Sequence, residues 1–179
     1  MPRCGLNDSA IEGATDEALV CWERLTLQAD AAYQKKLLKP AFDYFLQSQT
    51  VIADRLNGRG KVSAEHIRCF VLACQNTAFV AQKLHRRHLC EYYYRQSYRR
   101  LEAFLESDAR GLRLRQVLCF EINLAQRKYA EYLYRRDRNG ETSLSKEFHR
   151  IVRRMFQSRW RESSAAANNS WIPQAKQSG

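Results

Sequence analysis

Residues that break helices are scarce in this chain, with three prolines and seven glycines among 179 residues. Together with a high content of Glu, Gln, Arg, Leu and Ala, that scarcity favours an all-helical protein. Apolar residues do not alternate with polar ones over long stretches, so strand signals are weak. There is no run of 18 apolar residues, and no transmembrane helix is expected. The opening Met1-Pro2-Arg3-Cys4-Gly5 lacks the apolar core of a secretory signal and the second-place glycine that myristoylation needs. The six cysteines form no C-x-x-C pair, which leaves them as small buried thiols of a reducing cytoplasm.

Catalytic motifs are missing as well. No nucleophile–base signature, phosphate-cradling glycine loop or paired-carboxylate motif occurs. Asn57-Gly58-Arg59-Gly60 has neither the lysine of a phosphate-binding loop nor dinucleotide-binding spacing, and reads as a turn. His85 and His88 lie three apart near Cys90 and Glu91, but they straddle a predicted turn and lack an assured third ligand. The sequence therefore points away from an enzyme and implies no metal and no cofactor.

Apolar residues make up 45% of the chain, enough for one sizeable core in a single domain. The net charge of +11 is unevenly placed. Residues 1–57 are slightly acidic, and the whole positive excess lies beyond them. Arginine supplies 22 of the 30 basic side chains, and its planar fork suits phosphate and carboxylate better than lysine's point charge.

Apolar periodicity divides the chain into six helices. Residues 1–14 are polar and small and read as a flexible N-terminus. A first helix runs from about Asp16 to Lys36, capped by Thr15 or Asp16, with Leu19, Trp22, Leu25, Ala29 and Ala32 inward. Pro40 suits the first position of helix two, and Gly58 is expected to take a left-handed cap at its end. Ser63 caps helix three, whose stripe includes Ile67, Phe70, Cys74, Ala78 and Ala81. Helix four runs to about Glu106. Helix five covers roughly Ala109 to Asp137, with Phe120 and Leu124 widening its buried face. Ser143 caps helix six, whose apolar face carries Leu144, Phe148, Ile151, Val152, Met155 and Phe156. The helical domain spans 15–161, and residues 162–179 read as a disordered tail containing Trp171-Ile172-Pro173.

One spacing occurs twice. Ala29, Ala32, Ala41, Phe45 and Ser48 are matched in order and offset by Ala78, Ala81, Cys90, Tyr94 and Ser97. Small residues let two antiparallel helices approach, and the aromatic fills the gap beside them. This pattern resembles the tetratricopeptide repeat (TPR). That family places small residues at its eighth, twentieth and twenty-seventh positions and an aromatic at the twenty-fourth. The match covers about residues 22–106, with a weaker third hairpin at 109–161. The family's usual tryptophan is replaced by Leu25 and Cys74, its turn glycine is absent, and the two copies lie farther apart than its standard period of about 34 residues. Longer helices or an added loop would absorb the difference. In overall form the chain is similar to small bacterial TPR-like proteins. The resemblance implies an all-α fold of three antiparallel helical hairpins, stacked as a short right-handed solenoid, and a non-catalytic adaptor, chaperone or regulator. Carboxylate-clamp residues of some TPR domains carry over only at Asn76.

Two candidate surfaces follow. Exposed positions of helices one, three and five should line a partner-binding groove, with Tyr33, Asn76, Phe79, Lys83, Asn123 and Arg127 facing a protein helix or peptide, acidic given the charge. Helix six places Lys146, Arg150, Arg153, Arg154 and Arg161 opposite its apolar stripe. This basic face suits nucleic-acid phosphates, an acidic protein or an anionic membrane surface. Tyr92, Tyr93, Tyr94 and Tyr98 interleave with Arg95, Arg99 and Arg100 on helix four, an arrangement read either as base-stacking or as core packing. The apolar face of helix six fits either inward packing or a homodimer seam.

Overall fold

The computed structural model describes residues 16–58, 61–106, 111–138 and 148–153. Five helices follow one another: α1 (Glu17–Gln34), α2 (Leu38–Asn57), α3 (Ala64–Lys83), α4 (Arg87–Glu106) and α5 (Leu112–Arg138). Residues 148–153 add a short helical stretch. No strand occurs among the described residues. Each helix packs on the next, α1 also touches α3, and α3 touches α5. The chain is thus an all-α stack of consecutive antiparallel hairpins, a helical-repeat solenoid. The odd-numbered helices form one layer and touch each other. The even-numbered α2 and α4 make the other layer, where side chains such as Phe42 and Tyr93 bridge the wider spacing, their ring centroids 6.2 Å apart.

Small side chains at the repeated positions make this packing work. Ala29, Ala41, Ala78 and Cys90 are fully buried, as are Ser48 and Ser97. Each serine hydroxyl donates back to a carbonyl three residues earlier, Ser48 to Phe45 at 2.8 Å and Ser97 to Tyr94 at 2.7 Å. A polar group is thereby satisfied without a partner from the facing helix. Larger residues fill the space between hairpins. Ile52, Ile67, Phe70 and Leu101 are buried, and each contributes about 1.5–3 kcal/mol relative to exposure. Tyr94, Tyr98, Tyr129 and Tyr132 stack between α4 and α5 at centroid distances of 5.2–6.4 Å. Helix four's tyrosines therefore include three, Tyr93, Tyr94 and Tyr98, that serve core packing.

The extra length of the repeat lies in the helices, which run 18 to 20 residues from α1 to α4. Three local expectations are corrected. Gly58 is extended (φ −70°, ψ 166°) rather than left-handed. The positive φ values belong to Lys36 and His85, at 61° and 57°, in the two tight hairpin turns. Pro40 stands one turn into α2, which starts at Leu38, and a proline needs no intrahelical N–H partner there. Phe120 does not widen a buried face; it is 65% exposed. The segments read as a flexible N-terminus and a disordered tail, the Ser143 cap, and Trp171-Ile172-Pro173 lie outside the described residues.

Candidate functional site

The odd-numbered layer presents the first candidate surface. Tyr33, near the end of α1, meets Phe79 of α3 with ring centroids 5.6 Å apart in a tilted pair. Lys83, one turn after Phe79, sets its ammonium 5.4 Å from the same ring. Phe79 is nevertheless 40% exposed. Asn76 stands half-buried one turn before it. These positions continue along α3 as Arg68 and Leu72, which helical spacing puts on the same face. Leu72 is 45% exposed, and sequence reasoning missed it because a leucine on an apolar helix reads as core.

The register between α3 and α5 is parallel. Arg68 pairs with Glu121 at 3.5 Å near one end, and Gln82 shares a cavity with Tyr132 near the other. That register sets Asn76 level with the turns of α5 that carry Asn123 and Arg127. Asn123 is half-buried; Arg127 is exposed and paired with Glu131 at 3.6 Å. Tyr33, Phe79 and Lys83 thus form one contact group, with Asn76 one turn earlier on α3 and Asn123 and Arg127 on the neighbouring α5. A cavity of about 550 Å³ lined by Arg68, Arg113, Leu114 and Phe120 among others opens between α3 and α5 at the other end of this face. Burial pushes the Glu121 carboxyl above its usual range, and the Arg68 guanidinium only partly offsets that.

The short helical stretch docks on the body. Ile151 is buried, and Phe148 lies 6.1 Å from Tyr134, ring to ring. Arg150 reaches inward, its guanidinium 3.5 Å from the Tyr98 hydroxyl. Arg153 is exposed. Lys146, Arg154 and Arg161 lie outside the described residues.

A third cluster escaped sequence reasoning. Asp16 caps α1, accepting from the Ala18 N–H at 3.0 Å, and its other oxygen lies 3.0 Å from His66 Nε2. Arg55, from the end of α2, donates to that oxygen at 3.1 Å and to the Lys61 carbonyl at 3.1 Å. His66 is buried in a capping box with Ser63, whose hydroxyl oxygen is 2.7 Å from Nδ1 and whose N–H donates to Nδ1 at 3.1 Å. His66 Nε2 also lies 3.4 Å from Arg55 Nε, so imidazole, carboxylate and guanidinium meet at one point. Burial pushes the Asp16 carboxyl up, but the His66 ring, the Ala18 N–H and the Arg55 guanidinium outweigh it and hold it below 3.8. The order hydroxyl–imidazole–carboxylate is also that of a nucleophile relay. Here the serine is a helix cap, and an arginine already neutralises the carboxylate, so the cluster ties the ends of α1, α2 and α3 together. The Ser-x-x-His spacing is visible in sequence; the approach of Asp16 and Arg55 is not.

Comparison with known families, curated proteins and solved structures yields no significant match. Among the described residues no three metal-binding side chains converge, and no helix is long and apolar enough to cross a membrane. The described cysteines are free thiols; burial raises Cys69 and Cys90 to about 11, which keeps them protonated and unreactive.

Proposed function

We propose that this protein is a non-catalytic, TPR-like scaffold that holds a partner helix or peptide across its odd-numbered helices. The observation that carries this reading is Phe79, an aromatic in contact with both Tyr33 and Lys83 that is still 40% exposed. Aromatics with fixed geometry and exposed area are the usual anchors of helix-in-groove recognition. Leu72 and Phe120 extend the apolar surface, and Lys83 sets a positive charge beside it, whereas Arg68 and Arg127 are paired with Glu121 and Glu131. The partner in this reading is acidic and amphipathic, and the charge raises its on-rate. Asn76 and Asn123 fix its register. The free thiols fit a cytoplasmic site of action.

The test starts with affinity capture from nuclease-treated lysate, followed by titration of the purified partner against the wild type, Phe79→Ala and Tyr33→Ala. Phe79→Ala should weaken binding by more than about tenfold, the size expected of an interface anchor, with the helical circular-dichroism signal unchanged. Unaltered affinity with an intact fold would overturn the groove.

A further inference from the structure

Hairpin topology brings three separate basic stretches to one edge of the stack. The α1–α2 turn contributes Lys35, Lys36 and Lys39, all exposed. The α3–α4 turn contributes Lys83, Arg86 and Arg87, also exposed, together with His85 and His88. The end of α5 contributes Arg135 and Arg136. Residues 34–40, 82–88 and 134–136 contain no acidic side chain, and Asp137 and Arg138, which follow, cancel in charge. The stretches are neighbours in space. Arg86 lies over the Phe42 ring of α2 at 5.7 Å, and a cavity of about 310 Å³ joins Gln82, His85 and Arg87 to Tyr132, Arg135 and Arg136. Glu91 holds Arg87 at 3.1 Å and Arg136 at 2.9 Å through one oxygen, so both forks are oriented at the cavity wall.

Helix dipoles explain part of this charge, because α1, α3 and α5 end on this edge and cations stabilise helix C-termini. They do not explain Lys39 and Arg87, which stand in the first turns of α2 and α4. Positive charge is unfavourable there, and neither first turn holds an acidic residue. By contrast Asp16 and Glu17 open α1, and Glu65 opens α3, as the dipole prefers. Arg87 is offset by its i,i+4 pair with Glu91, so Lys39 is the cation that stands against the dipole with no acidic residue in its turn, and it favours an anionic ligand at this edge.

We propose that this edge binds the phosphate backbone of nucleic acid, with one phosphate seated in the cavity between Arg87, Arg135 and Arg136. Oriented arginine forks match phosphate oxygens, and helices packed about 8–10 Å apart carry the row of cations across successive phosphates. A membrane surface fits less well, because it calls for an apolar face beside the charges, and Leu37 is the one strongly exposed aliphatic side chain in the three stretches. The proposal shares Lys83 with the groove but does not rest on that reading.

The test is fluorescence anisotropy of the full chain with a labelled, mixed-sequence RNA oligonucleotide at several salt concentrations. The wild type should bind with affinity that falls steeply with salt. Lys39→Glu with Arg135→Glu should weaken binding at least about tenfold and flatten the log–log salt slope by about 0.7 for each lost contact. Arg113→Glu with Arg115→Glu changes net charge equally at the opposite edge and should leave affinity within about threefold. Lys39→Glu alone should raise the melting temperature while weakening binding, which a structural role for Lys39 would not produce. If the double glutamate variant does not fold, Lys39→Gln with Arg135→Gln replaces it. Equal loss in both charge-matched variants would reduce the effect to bulk charge and overturn the site. So would absence of RNA binding at physiological salt, or equal and equally edge-dependent binding of phosphatidylserine vesicles or polyglutamate.

Discussion

Lys36 and His85 occupy the same place in two successive hairpins, 49 residues apart, each in the left-handed region that closes a helix. The hydrogen bonds around them are duplicated. Leu37 N–H donates to the Ala32 carbonyl and Arg86 N–H to that of Ala81, both at 2.9 Å. Lys36 N–H reaches Tyr33 at 2.8 Å, and His85 N–H reaches Gln82 at 3.0 Å. This closure usually employs glycine, and a side chain there is strained. Lys36→Gly and His85→Gly should each therefore raise stability by about 0.5–1 kcal/mol, read as a higher urea midpoint with unchanged slope. A fall in the midpoint would mean that these side chains make contacts worth more than the strain.

Ala29 and Ala78 are fully buried within the core between the helices. Ala78→Leu should cost about 1–3 kcal/mol through overpacking. The exposed Ala31 on α1 should accept leucine within about 0.5 kcal/mol. Thermal melts of both variants check the contrast.

The Asp16 cluster sets an acid limit. A carboxyl held below 3.8 adds stability that is complete above that value and is lost as pH falls through its lower, folded value. Asp16→Asn keeps a capping side chain but removes the charge. Its melting temperature should lie below that of the wild type at pH 7, and the gap should close as the medium is made acid enough to protonate the wild-type carboxyl.

Glu121 behaves in the opposite sense. Burial raises its carboxyl above 4.5, so its ionised form opposes folding at neutral pH, and that opposition fades as pH falls through the raised value. Arg68→Ala should destabilise by about 1–3 kcal/mol at pH 7, because it leaves a buried charge without its cation. The deficit should shrink as pH falls and the Glu121 carboxyl takes up its proton. In Glu121→Gln the effect of removing Arg68 should nearly vanish, which a double-mutant cycle by denaturant melts would read.

Particular elements show how far sequence reading reached. The helices of the first two hairpins were legible because small and apolar residues recur at helical spacing, and the repeat was legible because Ser48 and Ser97 mark equivalent places. Phe79 was legible as a partly exposed aromatic because it follows a small core residue on the next face. Phe120 and Leu72 were not, since periodicity defines an apolar face without telling whether a neighbour covers it. The left-handed residues were misassigned to Gly58 because glycine is the default there, whereas two tight turns forced Lys36 and His85 into that conformation.

By itself the sequence determined the class of fold and the register of its repeats, because helix propensity and apolar periodicity act over a few residues. It also placed the positive charge in the C-terminal two thirds. The tertiary structure decided which residues meet. Asp16, Arg55 and His66 converge from three helices, and Tyr33 finds Phe79. Three basic stretches become one edge only because antiparallel hairpins return the chain to the same side every second helix. Such encounters depend on how many residues each helix has and on the angle at which it packs, quantities set by the whole stack and by no local segment.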